Sequence, residues 1–174
     1  PGGDSGVVRV HGTEKAVAAS VDSSAVYCWA HPLSGGKQIV CESWRNLISV
    51  GAKPIAITNC LNFGSPENED NMGEFVECVQ GLGEASAYLN FPVVSGNVSF
   101  YNQTKEVGIK PTPAIGGVGL IQNYKNILNY LFHLYLPIHQ LILLLNYCSN
   151  KRFNAINIES SIVLIVSFWV PSIL

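Results

Sequence analysis

The stretch Pro92-Val-Val-Ser-Gly-Asn-Val-Ser-Phe-Tyr101 is the part of the sequence around which we interpret the fold. Its β-branched start is typical of a short buried strand, and the run then changes to small polar residues suited to the edge of a ligand site. A glycine at position 96 has no Cβ, so a phosphate or nucleotide can approach the backbone closely there. The stretch therefore predicts a strand that ends at a ligand site.

A second stretch has the same character. Pro54–Thr58 is a short apolar strand, and the segment from Asn59 to Pro66 reads as the loop after it. In layered α/β architectures, ligands lie outside the ends of strands, so the loops 59–66 and 95–102 are expected to share one site. The alternative is that these Asn, Gly and Ser residues only turn the chain. No G-x-x-x-x-G-K-[ST] loop is present, which excludes an ATP site of the Walker type.

The flanking sequence predicts a small layered domain. Two strands, Val7–Val10 and Lys15–Val21, are followed by a loop over residues 22–36, then by a helix over Lys37–Val50 that Ser34 caps and Gly51 stops. A second helix precedes Pro92, and a last strand covers Pro111–Ile121. The order β-β-α-β-α-β-β indicates an α+β fold with α/β-like layers, in which helices cover one face of the sheet.

The two predicted helices each carry an apolar stripe. The first stripe consists of Val40, Trp44, Leu47 and Ile48, and the second of Phe75, Val76, Val79, Leu82 and Leu89. Glycines in the second helix lower its propensity, and close packing on a sheet is one reason to tolerate them.

Acidic residues and histidines have ordinary explanations as well as functional ones. The acidic residues at the start of the second helix fit the positive end of its dipole better than a metal cluster. They are Glu67, Glu69, Asp70, Glu74 and Glu77. His11 and His31 lie in predicted loops without a nucleophile beside them, so they are interpreted as surface residues rather than catalytic bases.

Composition excludes several classes of protein. The 174 residues are 48% hydrophobic with a net charge of -2, and such a chain has neither a disordered composition nor the basic field of a nucleic-acid-binding protein. The cysteine count is 5, with no C-x-x-C pair, which favours a reducing cytoplasm over a disulfide framework or zinc site. The N-terminal residues show no signal-peptide pattern, and we interpret the sequence as part of a longer one.

The composition changes near Gln122. All 16 glycines lie between Gly2 and Gly119, and Glu159 is the only acidic residue after Gln122. We therefore predict two regions, a domain over residues 1–122 and an apolar tail over 123–174 that has the bias of frameshifted or read-through sequence. The competing interpretation is a membrane segment, since Ile127–Leu145 is about as long as a spanning helix. Polar residues inside that window argue against it.

Residues 1–122 resemble the phosphoribosylformylglycinamidine synthases of purine biosynthesis. The resemblance is carried by segments in family order, namely Pro1–Val10, Gly35–Lys37, Arg45–Leu47, Gly51–Pro54, Thr58–Gly64, Pro92–Asn102 and Pro111–Pro113. It is closest to the N-terminal-type domain in the second half of that family's duplicated chain. The resemblance implies an aminoimidazole-ribonucleotide-synthetase-like domain whose sheet pairs with a counterpart missing from this sequence.

The resemblance also implies an activity. A member of this family is an ATP-dependent carbon–nitrogen ligase that converts formylglycinamide ribonucleotide and glutamine-derived ammonia to the amidine. The cofactors implied are ATP and Mg²⁺, and the partners are a glutaminase subunit and a small accessory subunit. The charge balance predicts no nucleic-acid partner, and the polar residues in the apolar tail disfavour a membrane. This segment alone is expected to be inactive, and the alternatives are a non-functional product of a degraded gene or a small membrane protein anchored by the tail.

The resemblance also implies roles for four residues, which match the site positions of the family. Asn59 falls where the family often has an ATP-contacting Asp, and Gly96 falls on an ATP-contacting backbone position. Asn97 matches a Mg²⁺ ligand and Ser99 a substrate contact. Asn59 departs from the family pattern because it lacks the negative charge. The catalytic His of the family belongs to the absent half, so no catalytic residue is assigned here.

Overall fold

A computed structural model of the chain describes residues 3–128. The strands are β1 (Gly6–Arg9), β2 (Ala16–Ser23), β3 (Lys53–Asn62), β4 (Val93–Ser99), β5 (Gln103–Thr104), β6 (Val107–Gly108) and β7 (Thr112–Ile121). The helices are α1 (Ala25–Ala30), α2 (Pro32–Ser49) and α3 (Glu69–Leu89), and a 3₁₀ turn follows over Tyr124–Asn126.

Five strands form one sheet in the order β1-β2-β7-β3-β4, and β5 and β6 form a separate small hairpin. Every pair in the large sheet is antiparallel except β3 and β4, which run parallel because α3 carries the chain back between them. The structure confirms the α+β class and adds α1 and the small hairpin to the predicted elements.

The helices cover one face of the sheet, as predicted. Along β2 the residues alternate between buried and exposed, with Ala16 and Ala18 under α2 and Val17 and Val21 on the open face. The core under α2 also contains polar side chains that hydrogen-bond between α2 and β2. Asn46 on α2 donates to the buried Asp22 carboxylate across 2.6 Å.

The predicted start of α2 is wrong. The helix begins at Pro32, within the segment predicted as a loop, and the cap is His31, whose Nδ1 accepts from the Ser34 backbone N–H at 3.5 Å. Proline suits the first helical position because its φ is already helical and no N–H is lost there. The predicted stop is confirmed, since Gly51 follows the helix with a φ of 84°.

The predicted buried face of α3 is partly wrong. Val76 and Val79 are 52% and 39% exposed, whereas the buried positions are mostly small residues. They are Cys78, Gly81, Leu82, Ala85 and Ser86. The reason is that α3 packs chiefly on α2 rather than on the sheet, and a narrow face allows the two helix backbones to approach closely.

Contacts with the domain continue past Gln122. The Tyr124 backbone N–H donates to the Glu14 carbonyl at 2.7 Å, and the Arg9 guanidinium lies 3.7 Å from the centre of the Tyr124 ring. The Leu128 N–H donates to the Val50 carbonyl at 3.1 Å. The remainder of the predicted tail, including most of the candidate membrane segment, lies outside the described residues. Within residues 3–128, no helix has the length and hydropathy needed to cross a membrane.

Candidate functional site

The first residues of both stretches predicted as loops belong to the adjacent parallel strands β3 and β4. Backbone pairing matches Asn59 with Gly96, Cys60 with Asn97 and Asn62 with Ser99, and the strands end there, so residues 63–66 and 100–102 follow them. The predicted starts of both loops are therefore wrong. The two segments lie side by side, and a shared ligand site stays a prediction. The small polar residues of β4 are tolerated in a strand because β4 is an edge of the sheet, where side chains need not pack into a core.

The prediction that the Pro92 stretch is buried is also wrong. All of β4 is exposed except Ser99, which is half-buried, and Val94 and Val98 are 68% and 49% exposed. The helix layer covers β2, β7 and β3 and does not extend over the edge strand. The β-branched residues of β4 therefore reflect strand propensity rather than burial.

The four predicted site residues divide between the two faces of the sheet. Ile57 and Leu61 on β3 are buried under the helices, so Asn59, which lies between them at a spacing of two, shares that face. Gly96 pairs with Asn59 and takes the same side. Asn97 pairs with Cys60 and Ser99 pairs with Asn62, so both lie on the opposite, open face.

Gly96 is in contact with Asn59. A Cβ built on Gly96 would collide with the Asn59 carboxamide oxygen and lie 2.6 Å from the Asn59 backbone oxygen. The absence of a side chain at Gly96 therefore makes room for Asn59 on the helix side. A ligand can reach the Gly96 backbone from the free edge of β4 or from the space beside the Asn59 carboxamide.

The open face carries a row of polar groups. Thr58 and Ser95 share a hydrogen bond of 2.8 Å between their hydroxyls, and the Asn62 amide donates to the Thr112 carbonyl at 3.2 Å. Asn97 lies exposed in the middle of this row, beside Cys60. Its carboxamide makes no hydrogen bond to other residues in the described part of the chain, so its oxygen is available to a ligand.

Ser99 is held by a residue that the sequence analysis did not select. The Asn102 side chain donates to the Ser99 carbonyl at 2.9 Å and lies 3.1 Å from its hydroxyl. The signal in the sequence is an Asn that follows a strand end by three residues, a position where Asn side chains bond to nearby backbone groups.

The acidic residues near the site act at the start of α3. Glu69 and Asp70 occupy its first turn, and the Asn68 carboxamide caps it by accepting from the Asn71 N–H at 3.0 Å. Partial burial and then the Asp70 charge raise the pKa of the Glu74 carboxyl above its ordinary value. Among residues 3–128, no group of three His, Cys, Asp or Glu side chains is placed to hold a metal ion.

A Mg²⁺ ion would therefore take few ligands from this segment. One exposed carboxamide oxygen, on Asn97, fits an ion that prefers oxygen and completes its shell with water and phosphate oxygens. Neither His11 nor His31 lies beside Asn97. His31 caps α2, and His11 lies exposed in the turn after β1.

Comparison with known proteins identifies a family that matches this chain. Residues 2–121 match the family described as AIR synthase related protein, N-terminal domain. The chain is 93% identical over 126 residues to phosphoribosylformylglycinamidine synthase subunit PurL of Pelagibacter ubique, covering 72% of this chain and 17% of that protein. The corresponding protein of Erythrobacter litoralis is 54% identical over 131 residues, covering 73% of this chain and 18% of its own length.

Solved structures of Thermotoga maritima PurL share the fold. The structure complexed with ATP aligns with a TM-score of 0.67 and 32% identity, covering 74% of this chain and 22% of that chain. The structure complexed with FGAR aligns with a TM-score of 0.65 and 32% identity, covering 70% and 20%. The chain thus spans less than a quarter of the length of these relatives.

Proposed function

Because this chain belongs to the AIR synthase related protein family through its N-terminal domain, we propose that residues 3–121 form part of the nucleotide-binding region of a phosphoribosylformylglycinamidine synthase. The observation that carries the proposal is the 93% identity over 126 residues to a PurL subunit.

The proposed reaction is an ATP-dependent ligation. The amide oxygen of formylglycinamide ribonucleotide attacks the γ-phosphate of ATP and ADP leaves. Ammonia then adds to the activated carbon, and phosphate departs to give the amidine. The first step is needed because an amide oxygen is a very poor leaving group and phosphate is a good one. Mg²⁺, when bound, offsets the negative charge that develops on the transferring group.

The proposed roles of the residues follow from their positions at the sheet edge. A nucleotide that lies along the free edge of β4 reaches the Gly96 backbone, and from there its phosphates reach the Asn97 carboxamide on the open face. Ser99, two residues further on the same face, would contact the ribonucleotide substrate. Asn59 remains able to hydrogen-bond to the nucleotide from the helix side, but it contributes no charge.

The proposed partners come from the same relatives. One T. maritima structure is of a PurLQS assembly, and we propose that the longer protein containing this segment works with a glutaminase subunit and a small accessory subunit in the cytoplasm. The segment alone is proposed to be inactive, because it spans 17% of the Pelagibacter ubique relative.

The test is a chimera. The segment corresponding to residues 3–121 in Pelagibacter ubique PurL is replaced by that of this chain, and kinetics are measured with its partner subunits. Asn97→Ala is expected to raise the Mg²⁺-ATP concentration needed for half-maximal rate about tenfold, which corresponds to the loss of about 1.4 kcal/mol of binding. Ser99→Ala is expected to raise KM for formylglycinamide ribonucleotide severalfold.

Thr104→Ala in the exposed hairpin serves as the control and is expected to leave both constants unchanged. Unchanged kinetics in both Asn97→Ala and Ser99→Ala would contradict the assigned roles.

The composition break near Gln122 favours a second candidate, a non-functional product of a degraded gene. The two candidates differ in the behaviour of the purified 174-residue chain. Cooperative unfolding with stabilisation by Mg²⁺-ATP supports a surviving binding module, since a ligand stabilises the state that binds it. Aggregation without a ligand-dependent shift supports the degraded product.

A further inference from the structure

The chain turns sharply just after β4. Tyr101 has a φ of 59°, a conformation that bulky residues rarely adopt, and the turn is fixed by backbone hydrogen bonds on both sides. The Tyr101 N–H donates to the Gly64 carbonyl at 3.1 Å, and the Asn102 N–H donates to the Phe63 carbonyl at 3.1 Å. This turn brings the Asn102 side chain back against Ser99, the last residue of β4.

The Asn102 carboxamide bridges the ends of β3 and β4. Its Nδ2 lies 2.9 Å from the Ser99 carbonyl oxygen, 3.1 Å from the Phe63 carbonyl oxygen and 3.1 Å from the Ser99 hydroxyl. The Asn102 carbonyl oxygen lies 3.4 Å from the same hydroxyl. One side chain thus contacts the loop after β3 and both the carbonyl oxygen and the hydroxyl oxygen of Ser99.

The distances indicate how the Ser99 hydroxyl is oriented. The contact with Nδ2 lies within the usual N–H···O range, and Nδ2 shares its two hydrogens among this hydroxyl and the Ser99 and Phe63 carbonyl oxygens. The 3.4 Å contact with the Asn102 oxygen is longer than the usual O–H···O bond, so the hydroxyl accepts from the amide better than it donates to it. A serine hydroxyl has one hydrogen and two lone pairs. A hydroxyl that accepts from Asn102 keeps its own hydrogen free for an oxygen atom of a ligand on the open face.

We propose that Asn102 is a positioning residue that holds the Ser99 hydroxyl as a hydrogen-bond donor to an oxygen of the ribonucleotide substrate. This inference rests on the proposed substrate role of Ser99 and adds a residue that acts through it. Asn102 also ties two strand ends together, so a purely structural role is the alternative that the experiment has to separate.

A double-mutant cycle in the chimera separates the two roles. Asn102→Ala and Ser99→Ala are each expected to raise KM for formylglycinamide ribonucleotide severalfold while kcat changes less than twofold. The double variant is expected to have about the same KM as Ser99→Ala alone, because two residues that act through one contact are not additive. A structural tether would instead lower kcat, and its effect would multiply with that of Ser99→Ala.

A second variant removes the donors of Asn102 while keeping its size, and the unfolding temperature of each variant shows whether it folds. Asn102→Asp keeps the size of the side chain and its acceptor oxygen but removes both N–H donors, so the Ser99 hydroxyl would turn to donate to residue 102. It is expected to raise KM at least as much as Asn102→Ala. Gln103→Ala loses only a hydrogen bond to the Lys105 carbonyl in the neighbouring hairpin, and it is expected to leave KM unchanged.

The outcomes distinguish the two proposals. If Ser99→Ala raises KM and both Asn102 variants do not, or if the effects multiply in the double variant, the positioning role is overturned and the substrate role of Ser99 survives. If Ser99→Ala leaves KM unchanged, the substrate role fails and the positioning role fails with it.

Discussion

The carboxamide of Asn59 occupies the space that a side chain at Gly96 would need, although the two residues are on different strands. The contact exists because β3 and β4 run parallel in register, which points residues 59 and 96 to the same face of the sheet. The site that the sequence predicts around Gly96 on β4 therefore also depends on Asn59 on β3.

Gly96→Ala is expected to destabilise the domain by about 1–3 kcal/mol, the usual range for overpacking. Rotation of Asn59 removes only part of the collision, because the new Cβ would also lie 2.6 Å from the Asn59 backbone oxygen. Urea unfolding of the 174-residue chain measures the change. Gly73→Ala on α3 is the control, since a Cβ there has no neighbour within 4 Å, and an equal loss in both variants would contradict the steric argument.

Gly81 and Gly83 form a matched pair two residues apart on α3. A Cβ on Gly81 would collide with the Leu33 carbonyl oxygen of α2 and lie 3.1 Å from the Lys37 nitrogen, whereas a Cβ on Gly83 meets nothing within 4 Å. We expect Gly81→Ala to cost about 2 kcal/mol or more and Gly83→Ala to stabilise by up to about 1 kcal/mol through helix propensity. Thermal unfolding followed by circular dichroism compares them, and the opposite order of stabilities would refute the α2–α3 packing.

The cysteines are expected to react with a thiol reagent in an order set by burial. Cys60 is exposed, Cys41 is half-buried, and Cys28 and Cys78 are fully buried. Burial also raises the pKa of the Cys41 thiol, which lowers its reactive thiolate fraction. In a Cys148→Ser chain, we expect Cys60 to react fast and Cys41 slowly in the native state, and Cys28 and Cys78 to react only after unfolding in urea. Fast reaction of a Cys60→Ser variant would show that one of Cys28, Cys41 and Cys78 is more exposed than the structure indicates.

Mg²⁺-ATP is expected to protect Cys60 from the same reagent. Cys60 pairs with Asn97 on the open face, so a nucleotide bound through Asn97 would cover the thiol. The labelling rate of the purified chain should fall severalfold as Mg²⁺-ATP is added, and ATP with excess chelator should protect less. An unchanged labelling rate of Cys60 on addition of Mg²⁺-ATP would contradict binding of the nucleotide on this face.

Glu74→Gln is expected to stabilise the domain slightly at neutral pH. Burial and Asp70 raise the folded-state pKa of Glu74, so its charged form costs stability at pH values above that pKa. As the pH falls through the raised pKa, the wild-type carboxyl takes up a proton and the difference disappears by about pH 4. We expect a gain of about 1 °C in Tm at pH 7, kept small by solvent around a partly exposed group.

Glu106→Gln in the exposed hairpin controls for the change of net charge. A gain for Glu74→Gln that persists at pH 4 would show that the effect is not one of ionisation.

The features that sequence reasoning predicted well are those set by local chemistry. The end of α2 at Gly51, the acidic first turn of α3 and the order of the major strands each depend on residues close together in the chain. The start of α2 is harder to predict, because the Ser- and Gly-rich composition of residues 22–36 is typical of a loop, although proline is favoured at a first helical position.

Features that depend on distant neighbours were not predictable in the same way. The exposure of β4 follows from its place at the sheet edge, and the exposure of Val76 and Val79 follows from the packing of α3 on α2. Whether Asn59 and Asn97 share a face depends on strand register, which a single sequence does not specify. Asn102 was overlooked because its partners, Phe63 and Ser99, come together only when β3 and β4 pair.

The position of β7 determines when this domain can fold during synthesis. It is the last strand of the large sheet to be synthesised, yet it lies in the middle, between β2 and β3. Until residues 112–121 have left the ribosome, no strand is available to hydrogen-bond the β1–β2 pair to the β3–β4 pair. Folding is therefore expected to wait for one late pairing step of high contact order, and a nascent chain stalled before Thr112 would be prone to aggregate.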